Sequence, residues 1–145
     1  MKVERDTMPN AYEITHVPRT NRALVWLFEN FEESTVTMDG GTTRKYSGDV
    51  YEVSAAASAS LDTSVQENYS EWLAMAKQVE YDALADEIRD KRDALLAASD
   101  PRALEDYPQT AEARMAWLAY RQALRDVPEQ EGFPFVAEWP EAPSE

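Results

Sequence analysis

The stretch Ser64-Val65-Gln66-Glu67-Asn68-Tyr69-Ser70-Glu71-Trp72-Leu73-Ala74-Met75-Ala76-Lys77-Gln78-Val79-Glu80-Tyr81-Asp82-Ala83 decides the fold class. Val65, Tyr69, Trp72, Ala76, Val79 and Ala83 alternate steps of four and three, the repeat that lines one face of an α-helix. Ser64 followed by Glu67 has the form of a capping box at a helix start. Neither Gly nor Pro occurs from Leu61 to Ser99, and the apolar stripe later rotates to Leu84, Ile88 and Leu95. A helix of that length reaches roughly 50 Å, more than a small core can cover. Part of it is therefore expected to pack on a second helix, another subunit or a partner. The seam fits intramolecular packing and a homo-oligomer through residues 65–95 equally well.

Upstream the pattern changes period. Thr35 to Met38 and Thr42 to Tyr46 are β-branched runs on either side of Asp39-Gly40-Gly41, which supplies the positive φ of a tight hairpin turn. Val50-Tyr51-Glu52-Val53, introduced by Ser47-Gly48-Asp49, reads as another short strand. Thr20 to Ser34 stays open between the two structures. Leu24, Phe28 and Phe31 have helical spacing, whereas Val25, Trp26 and Phe28 suit a buried strand, and Glu29, Glu32 and Glu33 would crowd a helix C-terminus. Residues 1–20, interrupted by Pro9 and Pro18, read as irregular. Ser54-Ala55-Ala56-Ala57-Ser58-Ala59-Ser60 reads as a junction, either a linker or the start of a helix.

Downstream, Asp100-Pro101 is expected to end the long helix and Pro108 marks a second break. Thr110 is a good N-cap for a helix from Ala111 to Asp126, closed by Pro128. Trp117, Tyr120, Arg121 and Leu124 share one face of it. Beyond it Gly132, Pro134, Pro140 and Pro143 oppose regular structure, while Phe133, Phe135 and Trp139 imply a tail docked on something. The expected architecture is α+β. Residues 1–60 form a small β-containing region with its Ala/Ser junction. Residues 61–145 form a helical region, a long-helix/short-helix antiparallel hairpin followed by an irregular Pro/aromatic C-terminal tail.

Composition narrows the function. Among 145 residues, 28 acids face 14 bases, a net charge of −14. Such a surface repels phosphates, which disfavours nucleic-acid binding and docking on anionic membranes. It favours solubility and a basic partner reached by electrostatic steering. Four tryptophans, seven tyrosines and four phenylalanines set the chain apart from disordered sequences. The absence of cysteine excludes disulfides, thiolate metal sites and cysteine nucleophiles. The start, Met1-Lys2-Val3-Glu4-Arg5-Asp6, lacks the apolar core of a signal peptide. The longest apolar run, Ala23 to Phe28, is too short to cross a bilayer.

Three stretches carry a family likeness. They are Arg89-Asp90-Lys91-Arg92-Asp93-Ala94-Leu95-Leu96 with the turn led by Asp100, then Trp117-Leu118-Ala119-Tyr120-Arg121-Gln122-Ala123-Leu124-Arg125, and then Gly132-Phe133-Pro134 with the closing Trp139-Pro140. In order and spacing they resemble the phage tail assembly chaperone family, and a similar ending occurs in tail-fibre assembly proteins. The likeness covers about residues 86–141. It departs where members place Trp and Thr after the turn aspartate, since Pro101 and Arg102 stand here.

The resemblance implies a non-enzymatic helper that binds a phage tail-fibre or tail protein, keeps it soluble and lets it assemble. Its place would be the cytoplasm of the infected bacterial host, or the virion tail if the chain is retained. The residues it marks for partner binding are Trp117, Tyr120, Arg121, Leu124, Arg125, Phe133, Pro134, Trp139 and Pro140. Each has a plainer reading in internal packing or internal ion pairing.

Two rivals stay open beside it, a structural virion component on the fibre or baseplate, and an acidic inhibitor that imitates DNA. No catalytic, cofactor-binding or metal-binding residues are expected. Asp82, Asp86 and Asp90 share a helical face but are interleaved with Arg89, Lys91 and Arg92, as on a solvated helix. His16 has no second His or Cys to complete a metal set. Asp39-Gly40-Gly41 lacks the downstream Lys and Ser/Thr of a phosphate loop.

Overall fold

Burial with a period of two, not helical spacing, governs Ala23, Val25 and Leu27, which are fully buried while their neighbours Leu24 and Trp26 are half-exposed. The computed structural model describes residues 1–38 and 41–144. In it four strands, β1 (Lys2–Arg5), β2 (Tyr12–His16), β3 (Arg22–Met38) and β4 (Gly41–Ala56), form one antiparallel sheet in the order β1-β4-β3-β2. The ambiguous Thr20–Ser34 stretch is therefore strand from Arg22 onward. Asp39 and Gly40 of the expected hairpin turn lie outside the described residues.

Three strand expectations need correction. Residues 1–20 are not irregular throughout, because β1 pairs along β4 and β2 along β3, with Pro9 and Pro18 falling outside both strands. Edge pairing supplied the order that local propensity did not. Val50–Val53 is no separate strand, since β4 runs unbroken through Ser47-Gly48-Asp49. The first three residues of the Ala/Ser junction, Ser54, Ala55 and Ala56, are sheet as well. Ala55 pairs with Ala23, and only Ala57–Ser60 separates β4 from the first helix.

Gly48 sits inside a strand for a local reason. The β3–β4 register shifts between Glu29 and Glu32, so Asn30 and Phe31 together oppose Gly48, the geometry of a β-bulge. Asn30 takes the left-handed conformation at φ 56°, one of the few non-glycine residues that does so cheaply, and its Nδ2 donates to Asp49 Oδ2 at 3.0 Å. A Cβ on Gly48 would stand 2.6 Å from Phe31 Cγ and 2.8 Å from the Glu29 carbonyl oxygen. Phe31 meets Phe28 edge to face at 5.8 Å, and the Arg5 guanidinium lies 4.5 Å from the Phe28 ring centre. Those contacts bury Phe28, which strand alternation turns away from Leu27.

Three helices follow, α1 (Leu61–Glu67), α2 (Tyr69–Ala103) and α3 (Ala111–Asp126), then a one-turn 3-10 helix at Val127–Glu129. The capping box at Ser64 is corrected. Its residue lies inside α1, which starts at Leu61 because Leu61 and Val65 bury against the sheet, and Ser64 Oγ accepts the Trp72 indole N–H at 3.4 Å. The uninterrupted helix is corrected too. Asn68, at φ −122° and ψ 35°, separates α1 from α2, and both its backbone N–H and its side-chain amide donate to the Ser64 carbonyl. Pro101 does not end α2, which continues to Ala103. The proline removes one ladder donor, the one that would meet the Ala97 carbonyl, and only two helical residues follow it, so little of the helix is left to break. Among the described residues no helix is long and apolar enough to cross a membrane.

Contacts divide the chain into a unit of Met1–Glu80 and a second from Tyr81 onward. The first packs Ala23, Val25, Leu27 and Val53 of the sheet under Leu61, Val65 and Ala76, with Tyr69, Trp72 and Leu73 at the margin. Val25, Leu27 and Val65 are fully buried, each worth about 1.5–3 kcal/mol. The helical seam thus holds as far as Ala76, while Val79 is 47% exposed. The rotated stripe, through Leu84, Ile88 and Leu95, belongs to the second unit, where the fully buried residue is its neighbour Ala85.

Gly48→Ala is expected to lower stability by about 1–3 kcal/mol through forced overpacking at the bulge. Urea denaturation followed by far-UV circular dichroism reads this as a lower midpoint at unchanged slope.

Candidate partner-binding site

The second unit is organised around α3. Thr110 Oγ1 accepts the Ala113 N–H at 3.1 Å, the side-chain cap that frees the helix from an orphan donor. One face then carries Trp117, Tyr120, Arg121 and Leu124. Tyr120, Arg121 and Leu124 are buried, and Trp117, half-buried, meets Tyr120 edge to face at 5.6 Å.

Arg121 is the unusual member, a guanidinium that is only 8% exposed. Its Nη1 donates to the Leu96 carbonyl at 2.6 Å and to Ser99 Oγ at 2.7 Å, and its Nη2 pairs with Asp100 Oδ1 at 2.7 Å. Ser99, itself buried, donates its hydroxyl to the same Leu96 carbonyl. A buried charge is tolerated only when paired and hydrogen-bonded, and the fork of an arginine reaches three acceptors where a lysine ammonium could not match the geometry. Arg121 therefore ties α3 to the end of α2. Arg125, one turn further on, is exposed.

A second stack forms where α2 ends. The Arg102 guanidinium lies 4.8 Å from the Tyr107 ring centre and 5.1 Å from that of Trp117. Gln109 Nε2 donates to the Arg102 carbonyl at 2.8 Å, and Arg114 Nη1 to the Glu105 carbonyl at 3.2 Å. The loop between α2 and α3 is thus held from both sides. Beside it opens a groove of about 830 Å³.

The C-terminal segment is ordered by contacts with α2. Gln130 gives Nε2 to the Glu138 carbonyl and accepts the Glu138 N–H on Oε1, both at 2.8 Å, as a paired strand residue would. The loop so closed presents Phe133 and Phe135 edge-on to Tyr81 at 6.4 and 6.2 Å. Arg89 lies over Phe133 at 5.5 Å and Lys91 over Trp139 at 4.2 Å. Cation–π contacts of this kind contribute on the order of 0.5–1 kcal/mol each at exposed sites.

The nine residues marked in the sequence separate by environment. Tyr120, Arg121, Leu124 and Pro134 are buried, so they hold the unit together. Trp117, Phe133, Trp139 and Pro140 are half-buried and keep part of their surface open, and Arg125 is exposed. Sequence reasoning missed Tyr81, Arg102, Tyr107 and Gln130, whose partners lie too far along the chain to leave a local motif. It also passed over Met115 and Leu118, 64% and 46% exposed on the face of α3 opposite Leu124, and over Val136 at 60%. The i, i+3 spacing of Met115 and Leu118 was the available signal. On α2 Arg89 pairs with Asp86 and Arg92 with Asp93, breaking the row of acids. Among the described residues no group of three or more His, Cys, Asp or Glu side chains could hold a metal ion. What this surface offers is ring stacking and apolar contact.

A family model described as phage tail assembly chaperone protein matches residues 85–144, which takes in most of the second unit. Neither the curated proteins nor the solved structures contain a match.

Arg121→Met is expected to destabilise the chain by about 1.5–3 kcal/mol, the range for hydrogen bonds to a charged group. Arg125→Ala should stay within about 0.5 kcal/mol of the parent. Denaturant unfolding followed by near-UV circular dichroism compares the two.

Proposed function

We propose, from the premise that residues 85–144 match the phage tail assembly chaperone family, that the chain is a bacteriophage tail or tail-fibre assembly chaperone working by protein–protein binding. The family match supports a role in phage tail assembly and points to a non-enzymatic one. It is the observation that carries the reading, because the matched stretch includes the Arg121 tie, the Arg102 stack and the ordered C-terminal segment.

The binding surface would be the open parts of Trp117, Phe133, Trp139 and Pro140, with Met115, Leu118 and Phe135 beside them in sequence. Half-buried aromatics on rigid supports are typical interface anchors. Covering an apolar segment of an unassembled tail or fibre polypeptide would keep that polypeptide from self-association. The net charge of −14 favours a basic partner and speeds encounter. Residues 1–60 would serve as the element matched to one particular tail component. This work would take place in the cytoplasm of the infected host. A DNA-mimicking inhibitor is less well supported, because the mixed charges on α2 interrupt any phosphate-like row.

Co-expression with each tail and tail-fibre polypeptide of the phage that encodes the chain tests the proposal. One of them should rise several-fold in the soluble fraction, and Met115→Asp with Leu118→Asp should abolish the rise without moving the chain's own melting temperature. If every one of those polypeptides is equally soluble and equally assembled without the chain, the proposal is wrong.

A further inference from the structure

We infer that the outer edge of β2 takes up an extended, basic segment of the partner protein as a fifth strand of the sheet. This deepens the protein-binding function proposed above, in which residues 1–60 select the tail component, and rests on it.

The register of β2 fixes which of its backbone groups face outward. The Phe28 N–H donates to the Ala11 carbonyl and the Val17 N–H to the Arg22 carbonyl, both at 2.9 Å. With Ile14 opposite Val25, the β2 residues bonded to β3 are then Glu13 and Thr15. The N–H and C=O groups of Tyr12, Ile14 and His16 point away from the sheet. β2 is last in the order β1-β4-β3-β2, so no further strand covers those groups among the described residues. Such a row is what an extended peptide pairs with when it adds to a sheet.

The two edges of the sheet differ in how they meet another strand. β1 reads Lys2-Val3-Glu4-Arg5, and charges of this density discourage edge-to-edge pairing. β2 reads Tyr12-Glu13-Ile14-Thr15-His16, and its carboxylate is already paired with Arg5 Nη1 at 2.6 Å. The β2 edge lacks the protection that β1 has.

A cavity lies where the side chains of an added strand would fall. Tyr12, Ile14 and His16 stand opposite Leu27, Val25 and Ala23, all fully buried, so their side chains share the core face of the sheet. On that face Ile14 and His16 line an open cavity of about 500 Å³ with Ala57, Leu61 and Asp62. A strand paired along β2 turns every second side chain to this face, beside Ile14 and Leu61. The carboxylate of the cavity is that of Asp62, which is exposed and accepts the Tyr12 hydroxyl on Oδ1 at 3.0 Å. It selects a Lys or Arg among the incoming residues. The net charge of −14 favours the same choice and opposes a second copy of the chain at this edge.

The test is a selection on the full chain from a library of random peptides of about ten residues, long enough to run past β2. Bound peptides should alternate apolar with polar residues and carry Lys or Arg. The tightest of them, added to the isotope-labelled chain, should slow amide exchange at Tyr12, Ile14 and His16 about ten-fold or more. Glu13 and Thr15, already bonded to β3, should change little. His16→Pro removes one outward donor and should weaken binding about ten-fold. Asp62→Asn should weaken it by up to about five-fold at low salt. Exchange is read in the unsubstituted chain, so it decides the matter even where His16→Pro fails to fold. A library that yields no binder, acidic binders, or binders that leave the three amides exchanging as before, overturns the inference. In sedimentation velocity the parent should be monomeric. A dimer that disappears in His16→Pro would assign the edge to a second copy and overturn a foreign occupant. No phage protein enters these measurements, so their failure and the failure of the co-expression experiment are separate results.

Discussion

A guanidinium taken out of water needs acceptors for its donors, and Arg121 finds three at the end of α2. The Leu96 carbonyl, the Ser99 hydroxyl and the Asp100 carboxylate receive it within 2.7 Å. That arrangement fixes which face of α3 turns inward, because Tyr120 and Leu124 flank Arg121 on the same side. With the inward face settled, Met115 and Leu118 are left outside, and Trp117 lies where it can complete the stack on Arg102. The Asp100 carboxylate, 65% exposed, is the most open partner of the three, whereas Leu96 is half-buried and Ser99 buried. Most of the tie's worth therefore resides in the Leu96 and Ser99 acceptors.

The C-terminal segment is held by a different principle. It has no apolar run long enough to make a core of its own, so its order comes from single, directed contacts. Gln130 imitates a strand partner for Glu138, and cationic side chains of α2 lie over Phe133 and Trp139. Each contact is modest, and their sum is the kind of stability that a competing ligand can exceed.

Legibility in the sequence follows the range of the forces involved. α3 was readable from end to end, because Thr110, the apolar face and Pro128 are all local signals. The strand character of Thr35 to Met38 and of Thr42 to Tyr46 was equally local. Other features depend on partners far away in sequence. β1 exists because Lys2–Arg5 finds Tyr46–Asp49, and Gly48 reads as a turn residue until Phe31 is seen lying across it. The break at Asn68 falls inside an apolar repeat that looked continuous, and Pro101 looked like a stop because nothing local revealed that the final turn of α2 tolerates it. At the candidate site the aromatic identities and the bare Arg121 were visible. The environments that make Tyr120, Arg121, Leu124 and Pro134 internal while leaving Trp117 and Trp139 partly open were not.

The proposed function places the binding of another protein on the second unit, and within it on α3 and the C-terminal segment. Hydrogen–deuterium exchange of the chain, alone and in complex with the tail polypeptide that co-expression identifies, measures this directly. New protection is expected within residues 104–118 and 133–144. Protection confined to residues 1–60, with those two stretches exchanging as in the free chain, would contradict it.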